Sequence, residues 1–251
     1  MASYDLDGRV AFVTGAGRGI GAASARTLSR SGARVAVTDI DGAAAERVAG
    51  EITGAGGEAA AWTLDVTDPA AVDAAVAEIV ERFGGLHIGV NNAGMTGEAA
   101  AVADCSDENW RRVLTLNLDA VFYCTRAEAR HMRSAGGGSI VNLASILSSA
   151  AFPAYANYAA SKHGVLGLTR AAALDHAGDG IRINAVGPGF IDTPLNDVHD
   201  AEAKQAISAA IPLGRWGRDQ EVAELVCWLA SDAASYATGS YYPIDGAYLA
   251  Q

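Results

Sequence analysis

Short apolar runs alternate along the chain with longer stretches in which apolar residues recur every three or four positions. The short runs fall at 10–13, 34–38, 59–64, 86–90, 140–143, 180–186 and 240–245. Runs of this length, bounded by Gly, Asn and Asp, predict strands buried on both faces. Helical patterns lie between them: 20–31, 41–53, a segment beginning at 67–69, 110–133, one starting near 153–155 and passing 170, a weak one within 194–213, and 219–230. Strictly alternating strands and helices predict one doubly wound α/β domain over 1–251, a seven-stranded parallel sheet flanked by helices. No repeat or low-complexity linker divides it.

The first strand runs into Thr14-Gly15-Ala16-Gly17-Arg18-Gly19-Ile20-Gly21 and then an Ala-rich helix. A glycine turn at a helix N-terminus inside a β-α-β unit is the Rossmann arrangement, where backbone N–H groups and the helix dipole favour a pyrophosphate. Asp39 directly follows the second strand. A carboxylate there accepts hydrogen bonds from ribose hydroxyls and repels a 2′-phosphate, which favours NAD over NADP.

A second constellation lies in the stretch 139–170. Ser145 ends a strand, Tyr158 follows thirteen positions later, and Lys162 four after that. Tyr158 and Lys162 share a helix face. An ammonium beside a phenol is expected to favour phenolate, lowering a pKa that starts near ~10. Tyr155 cannot form such a pair, because Ala159 stands four residues on.

Composition narrows the class. Half of the residues are hydrophobic, as in a packed globular protein, and the net charge of −11 argues against nucleic acid or an anionic membrane as partner. Cys105, Cys124 and Cys227 have no metal or redox spacing. The N-terminus is polar and acidic, and no apolar run reaches the ~18 residues of a membrane span, so a soluble cytoplasmic protein is expected.

Taken together the motifs resemble the short-chain dehydrogenase/reductase family. Gly15, Gly19 and Gly21 match its T-G-x-x-x-G-x-G turn; Ser145, Tyr158 and Lys162 match its Ser, twelve residues, Tyr-x-x-x-Lys. Asn91-Asn92-Ala93-Gly94 matches N-N-A-G, Asn117 the helix asparagine, and Pro188-Gly189-Phe190-Ile191-Asp192-Thr193 the P-G-x-x-x-T segment. The resemblance covers the chain from about Leu6 to its end. It implies a catalytic tetrad of Asn117, Ser145, Tyr158 and Lys162, with Tyr158 as acid/base and Asn117 bending its helix to hold a water in a proton path from Lys162.

For the cofactor it implies contacts from Gly15, Arg18, Gly19, Ile20 and Gly21. Asp39 meets the ribose, Asp65 and Val66 the adenine, and Asn92, Ala93 and Gly94 the backbone side. Tyr158 and Lys162 meet the nicotinamide ribose; Pro188, Gly189, Ile191 and Thr193 meet the carboxamide. Arg18 pulls toward NADP, since a basic residue there meets the 2′-phosphate in some relatives; Asp39 outweighs it. Asp65 can also serve as a turn cap.

The chain departs from the family at His87, read as structural, at Gly89, expected to weaken its strand, and at Ala247 where a second Gly is usual. The substrate wall is expected from Thr96, Ile146, Phe152, Tyr155 and Phe190, beside Ser145 and Tyr158, under a mobile lid at about 190–213. That apolar mix points to a neutral secondary alcohol or ketone, cyclic or polyol-like, and no metal is required.

The expected activity is thus NAD-dependent alcohol dehydrogenation and ketone reduction. The alternatives are an NADP-dependent 3-oxoacyl-carrier reductase and a non-catalytic dinucleotide sensor. Assembly as a homotetramer is implied too, through the helices at 110–133 and 153–170 and a second face near Trp228 and Tyr241–Tyr242. The carboxylate of Gln251 would then lie near an interface and could meet a structural cation.

Overall fold

The computed structural model describes residues 4–196 and 200–251, apart from the side chain of residue 195. β1 (Val10–Val13) leads through the glycine turn to α1 (Gly19–Arg30), β2 (Arg34–Asp39), α2 (Gly42–Gly54), β3 (Ala59–Thr63) and α3 (Pro69–Phe83). β4 (Ile88–Asn91), α4 (Asp107–Leu114), α5 (Ala120–Ala135) and β5 (Gly138–Leu143) follow. Next come α6 (Ala156–His176), β6 (Ile181–Pro188), the two-residue β7 (Ile191–Asp192), α7 (Ala201–Ala210) and β8 (Gly217–Arg218). α8 (Asp219–Ala230) and β9 (Tyr241–Ile244) complete the order.

Seven strands form one parallel sheet in the order β3-β2-β1-β4-β5-β6-β9. β7 and β8 pair separately, a contact that no sequence pattern announced. Successive strand residues face opposite layers. Ala11 and Val13 pack with α1, α2 and α8, while Val10 and Phe12 pack with α3 and α5. Both faces are therefore apolar, which is why the strands read as continuous runs. The strand order reverses between β1 and β4, and ligands of such sheets bind where the carboxyl ends diverge.

Four of the eight α-helices among the described residues start on a side-chain cap: Asp41 on α2, Asp68 on α3 with Pro69 just inside, Ser106 on α4 and Asp200 on α7. The single helix expected over 110–133 begins earlier and is interrupted. α4 and α5 are joined by one π-helical turn, Thr115–Asp119, centred on Asn117. A buried amide that must bond outside its own helix accounts for the break. The stretch 194–213 contains a short 3₁₀ turn (Pro194–Asn196) and α7; residues 197–199 of the expected lid lie outside the described residues.

Two departures from the family pattern have structural reasons. Gly89 does not leave a hole in β4: a Cβ there would collide with the Glu128 carboxyl, so the glycine makes room for a buried acid. His87 is structural: its Nδ1 accepts the Val10 N–H at 3.0 Å. Burial, then the charges of Arg9, Arg34 and His131, lower its pKa. Among the described residues no helix is long and apolar enough to cross a membrane.

Candidate active site

The glycine turn is held from behind. Thr14 Oγ1 accepts from the Asn92 and Ala93 amides at 2.9 and 3.1 Å, and Asn92 Nδ2 donates to the Thr14 and Gly15 carbonyls, both at 3.0 Å. These bonds lock the ends of β1 and β4 together across the switch point. Gly15 has φ +60°, and a Cβ on it would come within 2.9 Å of Ala93 Cα. A Cβ on Gly21 would meet the Gly15 carbonyl. Thr14 opens the motif but was given no role from the sequence, although it is the hub of the turn.

α1 differs from the helices capped by Asp or Ser: its N-cap is Arg18, whose side chain makes no capping bond, and its first turn has no acid. Its orphan amides are left for an anion. A groove of about 1050 Å³ opens on them, lined by Gly15, Arg18, Gly19, Ile20 and Asp39 at one end. Leu64, Asp65, Val66 and Thr67 continue the lining beside Asp39, whose carbonyl accepts the Leu64 amide at 2.9 Å, and Asn92, Ala93 and Gly94 complete it. Asp39 Oδ2 accepts from the Gly17 amide at 2.8 Å and Oδ1 from Asp41 at 3.0 Å, so the carboxylate is fixed at the groove edge. Asp65 does act as a turn cap, accepting from the Thr67 amide and hydroxyl. Thr115, Leu116 and Arg111 also line this groove and were missed, because nothing in their spacing marks them. A groove with uncapped helix amides and a fixed carboxylate beside them fits a dinucleotide.

The Ser–Tyr–Lys constellation is assembled at the neighbouring end. Ser145 N-caps a 3₁₀ turn (Ile146–Ser148) after β5, and its Oγ accepts from the Leu147 amide at 3.2 Å. Ser148 Oγ donates to the Lys162 carbonyl at 2.8 Å, tying that turn to α6. Tyr241 Oη donates to the Ser145 carbonyl at 2.7 Å, so this tyrosine, read from sequence as an interface residue, turns inward. Lys162 is buried, with Nζ donating to the Leu143 carbonyl at 2.7 Å and lying 5.7 Å from the Tyr158 ring centroid. A Cβ on Gly94 would lie 3.1 Å from Asn117 Oδ1 and 3.7 Å from Lys162 Nζ, so these three meet. Asn117 itself bonds both backbone groups of Met95, and also Ser161 Oγ.

The expectation that Lys162 lowers the Tyr158 phenol is not met. Desolvation raises the phenol, opposed by a hydrogen bond with Ser145. The same desolvation lowers Lys162 to about 8, and its ammonium is turned to a carbonyl rather than to the phenol oxygen.

A second cavity, of about 210 Å³, continues from Tyr158 and Ser145. The predicted wall residues Thr96, Ile146, Phe152, Tyr155 and Phe190 all line it, as do Pro188, Gly189, Ile191 and Thr193, of which Thr193 also lines the groove. Phe152 and Phe190 stack at 5.9 Å, with Tyr248 edge-on to both and Trp216 edge-on to Phe190. Tyr248 and Trp216 do not line the cavity but support these rings, and were not foreseen; only the fold brings the chain's end and the β8 approach to them.

Comparison with known proteins agrees. The profile of a family described as enoyl-(acyl carrier protein) reductase matches residues 15–248. Cyclohexanol dehydrogenase of Acinetobacter sp. (strain SE19) is 47% identical over 98% of this chain and 97% of that one. Cis-4-hydroxycyclohexanecarboxylate dehydrogenase of Sinomonas cyclohexanicum is 43% identical over 96% and 97%. A gluconate 5-dehydrogenase from Burkholderia cenocepacia J2315, solved in complex with NADP and tartrate, superposes with a TM-score of 0.94 at 37% identity, covering 98% and 97%. With such relatives aligned end to end, the likeness seen in the motifs is kinship: the chain belongs to the short-chain dehydrogenase/reductase family.

Proposed function

We propose that this protein is an NAD-dependent dehydrogenase interconverting a small cyclic secondary alcohol and its ketone. Oxidoreduction at a CH–OH group with a nicotinamide dinucleotide is common ground across its relatives. The finer reading is carried by one observation. The cavity beside Tyr158 and Ser145 is walled by the stacked rings of Phe152 and Phe190, and among the described wall residues the one basic side chain is Lys162, which is engaged with a carbonyl. Such a site takes a compact apolar ring and offers nothing to a phosphate. The two relatives named for cyclohexane alcohols point the same way.

Gly15, Gly19, Gly21 and the α1 amides would hold the pyrophosphate. Asp39 would hold the adenosine ribose and disfavour NADP; the Burkholderia structure with NADP is the reason that preference needs measuring. When bound, the nicotinamide accepts or supplies the hydride. Ser145 orients the substrate oxygen and Tyr158 exchanges its proton. Because the phenol's pKa is raised, Tyr158 is protonated at neutral pH and acts as an acid toward a ketone. Alcohol oxidation needs the phenolate, so it should quicken as pH rises. Lys162 and Asn117 converge at Gly94, and the Asn117 backbone would hold a water that carries the proton outward from Lys162.

The assay is reduction of NAD or NADP at saturating cyclohexanol, set against linear and phosphorylated alcohols, and oxidation of NADH or NADPH by 3-oxoacyl substrates, with Tyr158→Phe as control. Tyr158→Phe keeps the ring and removes the proton, so kcat should fall at least ~100-fold. Preference for a phosphorylated or carrier-linked substrate, or near-normal turnover by that variant, would sink the reading. We also propose a homotetramer, supported by exposed Trp110, Phe122 and Leu174 on α4, α5 and α6; light scattering giving an active monomer would remove it.

A further inference from the structure

Glu128 on α5 is completely buried, yet neither cofactor groove nor substrate cavity includes it. It lies over Gly89 of β4, the one position in that strand where its carboxyl fits. Its Oε2 accepts from Asn91 Nδ2 at 3.0 Å, and the same nitrogen donates to Asn142 Oδ1 at 2.9 Å and to Thr125 Oγ1 at 3.3 Å. Asn142 Nδ2 in turn donates to Thr169 Oγ1 on α6 at 3.0 Å. Glu128 Oε1 and Asn91 Oδ1 have no hydrogen-bond partner among the described residues.

Each member of this buried chain adjoins a part of the site. Asn91 immediately precedes Asn92, which clamps the glycine turn. Asn142 immediately precedes Leu143, whose carbonyl holds Lys162 Nζ. Thr169 lies on α6, two turns beyond Lys162.

We propose that Glu128 is a positioning residue: through Asn91 and Asn142 it sets the cofactor loop and the catalytic helix, so dinucleotide binding depends on a group that touches neither cofactor nor substrate. The inference rests on the reading of that groove as the cofactor site. Burial raises the acid to about 8, with the Asn91 bond opposing. Near neutrality Glu128 is therefore a carboxylic acid. Its charged form would sit in the core facing only amides and hydroxyls. The titratable neighbours on α5 are Cys124, whose thiol is itself pushed far up, and His131, one turn beyond Glu128 with its Nε2 buried. On α3, Asp73 pairs with Arg130 at the exposed edge; on α6, Lys162 is engaged with Leu143; on β6, Arg182 is bonded to the Leu229 and Ser231 carbonyls. From β4 and β5 only Gly89, Asn91 and Asn142 face it. Ionisation puts a charge beside Asn91 with no cation to meet it, and the network must rearrange.

The test is NADH binding by fluorescence titration between pH 6.5 and 9.5, in wild type and Glu128→Gln. This readout needs no turnover, so it stays separate from the pH effect on Tyr158. Lys162 also titrates in this range and contributes equally to both proteins. The wild-type Kd should weaken about tenfold across the range, and that of Glu128→Gln at least about threefold less. Identical profiles overturn the proposal. Infrared spectra of the wild type supply the second measurement, for the case that the variant does not fold. A protonated carboxyl band should be present at pH 6.5 and gone by pH 9.5, and its absence at pH 6.5 equally overturns it. Failure of NADH to bind at any pH would instead refute the cofactor reading.

Discussion

Thr14→Val isolates the clamp behind the glycine turn. Valine has nearly the same shape, so β1 packing is retained while the hydroxyl is lost. That hydroxyl accepts two backbone N–H groups, from Asn92 at 2.9 Å and Ala93 at 3.1 Å, and its own weak donation to Val90 is at 3.4 Å. Thr14 is 1% exposed, so water cannot replace it from the β1 side. A buried donor left unmade costs about 1–3 kcal/mol. Asn92 and Ala93 are only half-buried, so each amide recovers part of this from the groove. The expected loss is therefore about 2–3 kcal/mol for the pair. Any shift of the Asn92–Gly94 backbone also moves the groove floor. A further ~1.4 kcal/mol lost from binding would raise the KM for the dinucleotide about tenfold. Urea unfolding followed by circular dichroism gives the stability change, read at constant m value. Thr14→Ser, which keeps the hydroxyl and loses one methyl, should cost only about 1 kcal/mol and leave KM near wild type. If Thr14→Val stays within about 0.5 kcal/mol of wild type with an unchanged KM, the clamp has no energetic weight and the reasoning fails.

Three further outcomes are expected. Asp39→Ala should raise kcat/KM for NADP relative to NAD by at least tenfold on the order of one charge repulsion removed; an unchanged ratio would assign the preference to another residue. His87 accepts a backbone N–H and its pKa is lowered, so the unfolded chain binds the proton more tightly. Its contribution is complete above the unfolded value near ~6.5 and is lost as pH falls through the lower folded value; His87→Asn, keeping an acceptor, should flatten the melting temperature between pH 7.5 and 5. Ala247 sits at φ +69°, in the left-handed region, where the family usually has glycine. Ala247→Gly should therefore stabilise the fold by up to about 1 kcal/mol, after the entropy cost of glycine; a lower melting temperature would contradict this.

The doubly wound sheet was legible in the sequence because a strand covered on both faces must be apolar throughout, and 10–13, 34–38 and 140–143 are. The chemistry at the turn and on α6 was legible because it depends on local spacing: glycines before a helix, a phenol and an ammonium one helical turn apart. What escaped depends on distance along the chain. The direction of the Tyr158 shift is set by crowding from β5, α6 and the segment around Phe190, so pairing Tyr158 with Lys162 by sequence alone gave the wrong sign. Gly89 looks like a defect until Glu128, thirty-nine positions later, is laid over it. Trp216 and Tyr248 come to rest against Phe190 of the substrate wall only after β8 pairs with β7 and the chain's end folds back. Sequence carries periodicity and local geometry by itself. Desolvation and long-range side-chain complementarity are properties of the packed molecule, and here they determine the proton affinities and the shape of the cavity.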